Sequence, residues 1–280
     1  MLRPFLSLLV AGAATTVGAS LALSAAMRHR ALLARLDAEA LTDSLFLLGA
    51  ALLGVATASL AIHWLGAFVV GAIHVVIGGL AVLLPPGGML SGAYSPILEI
   101  TAMLGGLHHD LGDGALVFSF SGTQLVLGAF LIAAALAVRS RSDSPRPPGP
   151  VATTFSIVGA VALVAAFVLL GTVGDKFTTM LLTRFQYDVV FALGLALAAG
   201  LAGIGGLALR WRSAGGLLVG TLTLIAGLVT FLGGSSLPGA VHSTFLVHGF
   251  AVVLGLTVLV ASVVAAVRHG SEVPVDDDDL

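Results

Sequence analysis

Residues 66–79, "GAFVVGAIHVVIGG", and residues 215–228, "GGLLVGTLTLIAGL", are two apolar stretches that share a glycine pattern. When they are aligned, glycines coincide at the first, sixth and thirteenth positions. The ninth position differs in character, because His74 stands where the second stretch has Thr223. In lipid, helices associate where small residues let their backbones approach closely. The pattern therefore predicts two related transmembrane helices, each packed tightly on a neighbour.

The chain as a whole is too apolar for a soluble domain. Of its 280 residues, 58% are hydrophobic and only 9% are charged, whereas a soluble domain is about 25% charged. The mean hydropathy is +1.10. Backbone groups in lipid must find partners within their own segment, so long apolar runs of this kind form helices. The predicted fold class is an all-α polytopic integral membrane protein.

Composition and motifs also exclude several classes of function. The chain has no cysteine, which excludes disulfides, thiolate metal sites and iron–sulfur clusters. The net charge of −2 gives no indication of nucleic-acid binding. The sequence contains no Walker motif, nucleophile elbow or HExxH motif, and no stretch between the apolar runs is long enough for a catalytic domain. These absences favour a protein that is not an enzyme.

About eight transmembrane helices are predicted, because a bilayer core about 30 Å thick needs about 20 helical residues. The predicted spans are 4–25, 43–62, 65–85, 114–138, 151–172, 188–209, 213–233 and 242–267. The charged, proline-rich segment "RSRSDSPRPPGP", residues 139–150, divides them into four and four. The predicted organisation is a four-helix repeat at 1–143, a cytoplasmic linker at 144–150, a second four-helix repeat at 151–270 and a disordered acidic tail at 271–280.

Further matches between the halves indicate an internal duplication. "DSLFLLG" from Asp43 matches "DVVFALG" from Asp188, and the only two tryptophans, Trp64 and Trp211, end matching segments. Four spans per half is an even number, so both halves enter the membrane in the same direction and form a parallel 4+4 repeat. Lys and Arg near the span ends favour cytoplasmic termini by seven to five, which predicts a multi-pass protein of the cell membrane. For the first span, the alternative is a cleaved signal peptide.

Three polar residues within the spans are candidates for a pathway or a binding site: His74, Gln124 and His248. Ionisable groups inside a membrane are costly and usually face the bundle interior. The alternative role is structural, since polar side chains also hold helices together by hydrogen bonds. Two imidazoles on facing helices form a bis-His haem site, so His74 and His248 also permit haem. No other cofactor is predicted.

Two amphipathic segments, 31–41 and 175–185, are predicted to lie at the membrane interface. Arg35 and Arg184 hold equivalent places in them, either snorkelling to lipid head groups or attracting an anion. A weaker metal-site candidate is "LHHDLGD", which contains His108, His109 and Asp113. On a helix, the last two would share a face, although a solvated connection explains such a run equally well.

The sequence leads first to a permease or channel for a small solute, with a pathway between the two repeats. A non-catalytic membrane subunit or scaffold of a larger complex is the main alternative, and a bis-His haem electron-transfer subunit is a further one. The expected partners are the lipid bilayer and either another membrane protein or a second copy of the chain, and no nucleic acid is expected.

Overall fold

The computed structural model describes residues 2–34, 44–83, 96–140, 149–184, 186–233 and 244–270. These residues form twelve α-helices and no strand, which confirms an all-helical fold. The helices are α1 Leu2–Ala34, α2 Ser44–Ala58, α3 Trp64–Leu83, α4 Pro96–Leu107, α5 His109–Phe120, α6 Thr123–Arg139, α7 Gly149–Leu169, α8 Asp175–Arg184, α9 Val189–Ala208, α10 Ala214–Gly233, α11 Thr244–Val247 and α12 Phe250–Gly270. A 3-10 turn, Ser59–Ala61, extends α2, and a π-helical turn, Leu170–Gly174, joins α7 to α8.

Six helical segments of the described chain are long and apolar enough to cross a membrane. They are Leu2–His29, Trp64–Leu83, Gly149–Leu182, Val189–Ala208, Ala214–Leu232 and Phe250–Arg268. Their outward faces carry large apolar side chains that are more than half exposed, such as Val161, Val190 and Leu218. Water would penalise such surfaces, whereas lipid does not. The chain is therefore a multi-pass membrane protein.

The two other predicted spans have a different form from the one expected. The helical stretch Leu45–Ala61 is apolar but too short to be counted with the six. The predicted span 114–138 is a broken pair, in which α5 and α6 meet at an angle of 68°. The break falls at Gly122, whose φ of +77° is a left-handed conformation that glycine adopts without strain. Within the described residues, the count by length and composition is thus six, or seven with the bent pair, and eight spans are not confirmed.

Glycines allow α3 to pack on α6 and α10 to pack on α12. A methyl group added at Gly71 would lie 2.9 Å from the carbonyl oxygen of Gly128. One added at Gly220 would lie 2.7 Å from the backbone nitrogen of Leu259. Because both neighbours are backbone atoms, a larger residue would force the helices apart. The prediction of closely packed glycine helices agrees with these contacts.

Two serines bind the first turns of α3 and α10 in the same way. The Gly66 backbone N–H donates to Ser7 Oγ at 3.1 Å, and the Gly215 N–H donates to Ser156 Oγ at 2.9 Å. In each case 59 residues separate donor and acceptor. First-turn N–H groups have no partner within their own helix, so each serine on a neighbouring helix satisfies one of them.

Tyr187 fixes the far end of α3 to the second half of the chain. Its hydroxyl donates to the Val82 carbonyl oxygen at 3.1 Å, and its ring meets Phe177 edge-on. Partial burial raises the pKa of the phenol above its usual value. The hydroxyl is therefore protonated at neutral pH and available as a donor to α3.

The predicted interfacial segments also differ from expectation. The first is not a separate helix as far as it is described, because α1 continues without a break to Ala34. The second is α8, whose Phe177 and Leu181 are almost fully buried in the main hydrophobic core. Its apolar face therefore packs on protein and not on lipid. Residues 35–43, most of the predicted linker and the predicted acidic tail lie outside the described residues.

Candidate functional site

His74 lies in the middle of α3 and points into the helix bundle. Its side chain is only 7% exposed. The glycine face of α3 brings α6 close at this point, since a methyl group added at Gly128 would lie 2.9 Å from His74 Cβ. The sequence pattern that packs the helices thus also fixes the histidine between them.

The imidazole of His74 is not held by a hydrogen bond at Nδ1. That atom is fully buried and has no hydrogen-bond partner in the part of the chain that the structure describes. The ring meets Phe118 edge-on, with centroids 6.3 Å apart. A buried polar atom without a partner costs about 1–3 kcal/mol. Among the described residues, Nδ1 therefore makes no bond that ties α3 to a neighbouring helix.

Two small cavities lie on either side of His74, and both are lined also by Leu53 and Leu127. Each has a volume of about 10 Å³, which is close to the minimum needed for one water molecule. We call the first the threonine cavity, and its other lining residues are Thr15, Ala56, Thr57, Ala67, Val70, Leu131 and Thr257. We call the second the phenylalanine cavity, and its other lining residues are Ala19, Ala22, Leu23, Phe46, Phe118, Phe250 and Val253.

The two cavities succeed one another along the bundle. The lining residue from α1 in the threonine cavity is Thr15, whereas those in the phenylalanine cavity lie one to two turns further along the same helix. On α12 the order is reversed, with Val253 before Thr257, because this helix runs the other way. His74 therefore forms part of a thin wall between two spaces stacked along the helix axes.

Thr15, in the wall of the threonine cavity, also has a buried hydroxyl oxygen without a hydrogen-bond partner among the described residues. By contrast, the Thr57 hydroxyl donates to the Leu53 carbonyl oxygen at 3.1 Å, one turn back along α2. The threonine cavity thus has hydroxyl side chains in its wall on α1, α2 and α12, while the phenylalanine cavity has apolar walls apart from His74.

Gln124 lies at the start of α6 and is not among the lining residues of either cavity. Ser119 Oγ donates to Gln124 Oε1 at 2.5 Å, across the break between α5 and α6. Beside it, the hydroxyls of Ser121 and Thr123 lie 2.8 Å apart. These bonds tie the two helices together at the bend, which is the structural role that buried polar side chains often take in membranes.

His248 lies in the turn before α12 and is 1% exposed. Its ring stacks on Phe250, Phe250 meets Phe118 edge-on, and Phe118 meets His74. Two phenylalanine rings therefore lie between His74 and His248, the residues whose imidazoles would both have to bind one iron in a bis-His haem site. A porphyrin between the histidines would have to displace both rings.

The remaining candidates lie away from the cavities. Arg184 is exposed at the end of α8, and Arg35 is outside the described residues. His109 Nδ1 lies 3.4 Å from Asp113 Oδ2, which is the shared helix face expected, but the His109 side chain is 86% exposed. Across the described ranges, no three His, Cys, Asp or Glu residues come together in a way that would hold a metal ion.

Sequence reasoning missed the threonines and one histidine. Thr15, Thr57 and Thr257 carry no charge, so their position in apolar runs gave no reason to single them out. His29 lies between two arginines, outside the predicted span 4–25, and was not among the candidates. In the structure it is fully buried, with Nε2 2.8 Å from the Phe231 carbonyl oxygen and its ring stacked on Phe231.

Thr223, the counterpart of His74, lies in different surroundings. It lines a groove of about 400 Å³ between α7, α10 and α11 that opens to the outside of the bundle. The other walls of this groove are mainly apolar, with Phe167, Leu222 and Phe245 among them. On the first half of the chain, α5 packs against α1, and a methyl group at Gly114 would meet the backbone of Leu23. The histidine is thus enclosed, whereas the threonine is not.

The chemistry that the two cavities offer is hydrogen bonding. Their walls supply three threonine hydroxyls and one imidazole, and their lining residues include no carboxylate, lysine or arginine. Such walls suit the passage or binding of a small molecule more than bond cleavage, which needs a paired nucleophile or acid and base. Comparisons of the chain with family models, with curated proteins and with solved structures find no match.

Proposed function

We propose that this protein is a permease or channel for a small solute, with a pathway that runs inside the helix bundle past His74. The observation that carries the proposal is the pair of cavities stacked on either side of this residue. Ligand and solute sites in membrane bundles commonly lie among facing helices near the middle of the span. Here α1, α2, α3, α6 and α12 all contribute to the walls.

The proposal includes the internal 4+4 repeat. Three kinds of contact support it, each occurring once per half. The serine bonds to the first turns of α3 and α10 have the same chain separation. Two glycines have a left-handed conformation, and each directly precedes a helix: Gly122 precedes α6, and Gly249 precedes α12. The α3–α6 and α10–α12 pairs use glycines in the same register.

In this proposal His74 is the constriction of the pathway. The phenylalanine cavity beyond it ends at the rings of Phe46, Phe118 and Phe250, which would have to move for a solute to pass. Gln124 and His248 support the walls without touching the solute. The pathway therefore lies mainly within the first half, with α12 as the contribution of the second, and not midway between two equal halves.

Single-cysteine labelling tests the proposal without knowledge of the solute, because the natural chain has no cysteine. Thr257→Cys places a thiol in the wall of the threonine cavity. Ser262→Cys is the matched control, since Ser262 is equally buried on α12 but packs against Gly216. We expect hydrogen peroxide, a water-soluble reagent of two heavy atoms, to oxidise the thiol of Thr257→Cys in liposomes and to leave Ser262→Cys unreacted. Equal reaction of both, or of neither, would contradict a pathway.

A non-catalytic subunit is the second candidate, and the Ser119–Gln124 bond favours it. This bond and the neighbouring Ser121–Thr123 contact satisfy polar groups entirely within the chain, as expected for helices that only need to stay together. For a subunit of this kind, both cysteine variants would remain unlabelled, and the purified protein would conduct no solute.

A further inference from the structure

We infer that the threonine cavity selects uncharged hydrogen-bonding molecules of one or two heavy atoms, such as water and hydrogen peroxide. The inference rests on the proposed pathway and names its substrate class. It is drawn from the size of the cavity and from the chemistry of the walls on each side of His74.

Size sets the upper limit. The cavity of about 10 Å³ accommodates one water-sized molecule. Its walls include Val70, Leu127 and Leu131, whose branched side chains would have to be displaced by a longer solute. A three-carbon polyol therefore does not fit without repacking several helices.

Hydrogen bonding selects polar molecules. Thr15, Thr57, Thr257 and His74 all line the threonine cavity. A molecule that both donates and accepts can bond to hydroxyls, which also donate and accept. An apolar gas of the same size would make no such bond, so the site prefers a polar guest.

The absence of charge in the walls rejects ions. The lining residues of the two cavities are apolar or carry hydroxyls, apart from the imidazole of His74. An ion entering such a space would lose its hydration shell and find no opposite charge. Beyond His74, the phenylalanine cavity offers no other hydrogen-bonding side chain, so each further polar group on a solute adds to the cost of passage.

Permeation through sealed liposomes that contain the full-length protein tests this selectivity. The probes are water, followed by osmotic shrinkage, and hydrogen peroxide, followed by an enclosed dye. Glycerol and K⁺ are the size and charge controls. We expect the protein to raise water and peroxide permeation above that of empty liposomes and to leave glycerol and K⁺ unchanged. Glycerol or K⁺ permeation at a rate comparable to water would overturn the inference.

Two isosteric variants locate the selective site. Thr257→Val removes a hydroxyl from the wall of the threonine cavity and should lower water permeation by about fivefold, the change expected from one net hydrogen bond. Thr178→Val is the control, because its buried hydroxyl donates to the Gly174 carbonyl oxygen and the residue lines neither cavity, and it should leave permeation unchanged. Equal permeation by both variants would refute the role of Thr257.

The labelling experiment separates the two levels of the argument. If Thr257→Cys reacts and glycerol or K⁺ permeates as fast as water, the pathway stands and the substrate class is wrong. If no probe permeates faster than in empty liposomes, the proposed function itself is wrong, whether or not Thr257→Cys reacts.

Discussion

Replacing Gly78 by alanine tests whether close backbone contact between α3 and α6 holds the bundle together. A methyl group at this position would lie 2.5 Å from the Leu125 backbone nitrogen and 2.8 Å from its Cα. Neither atom belongs to a flexible side chain, so the helices must separate to admit it. Overpacking of this kind costs about 1–3 kcal/mol of unfolding free energy.

The next residue provides the control. A methyl group at Gly79 meets no atom within 4 Å. Alanine in a helix interior is favoured over glycine by about 0.5–1 kcal/mol, so Gly79→Ala should be neutral or stabilising. The two variants add the same methyl group to adjacent positions of one helix, and they differ only in what that group meets.

The free energy of unfolding should be measured for both variants by denaturant titration in mixed micelles, with far-UV circular dichroism as the signal. We expect Gly78→Ala to unfold at a lower denaturant concentration than the parent protein and Gly79→Ala at an equal or higher one. Gly227→Ala should resemble Gly78→Ala, because its methyl group would lie 2.7 Å from the Val252 nitrogen. A Gly79→Ala protein that is destabilised as much as Gly78→Ala would refute the reasoning.

Two further substitutions test local contacts by the same titration. Ser156→Ala removes the acceptor of the Gly215 N–H and should lower the free energy of unfolding by about 1 kcal/mol. Ser156→Thr keeps a hydroxyl and should recover part of this loss. An alanine variant as stable as the parent protein would show that the contact is dispensable. The Asp188 carboxylate accepts a hydrogen bond from the Val190 N–H at 2.8 Å at the start of α9. Asp188→Ala should lower the free energy of unfolding by about 0.5–2 kcal/mol, whereas Asp188→Asn should be close to the parent protein. Equal stability of all three proteins would contradict the capping role.

The glycine register was sufficient to predict which face of α3 and of α10 meets another helix. Gly71 and Gly78 are seven residues apart in the sequence, which is nearly two helical turns, so they must lie on one face. The same argument placed His74 towards the interior. The helix cap at Asp188 can also be predicted from the sequence, because a short carboxylate before an apolar run is a standard helix start signal.

Other features depend on contacts between distant parts of the chain. The bend between α5 and α6 follows from Gly122, but a glycine in an apolar run is equally compatible with a straight packed helix. The predicted first span ends at residue 25, yet α1 continues to Ala34, because alanine, leucine and arginine all favour helix regardless of the solvent. Sequence periodicity cannot distinguish a helix that leaves the membrane from one that stops there.

The threonines of the cavity show the same limit more sharply. In a helix, a threonine hydroxyl can donate to the carbonyl one turn back, as Thr57 does, and so it is tolerated on any face. Thr15, like Thr57, is a threonine in an apolar run, but its hydroxyl lacks a partner among the described residues. The sequence around the two threonines does not indicate which hydroxyl bonds to its own helix.

The difference between His74 and Thr223 can now be argued from their surroundings. Both follow a glycine by three residues on helices that are packed in the same register. The groove at Thr223 is open to the side, where a polar imidazole would face lipid and gain nothing. At His74 the corresponding side is covered by α5, whose Phe118 contacts the ring. The segment that carries α4 and α5 has no counterpart of similar length in the second half. Enclosure by this segment is therefore the condition under which one of the two positions can carry a histidine.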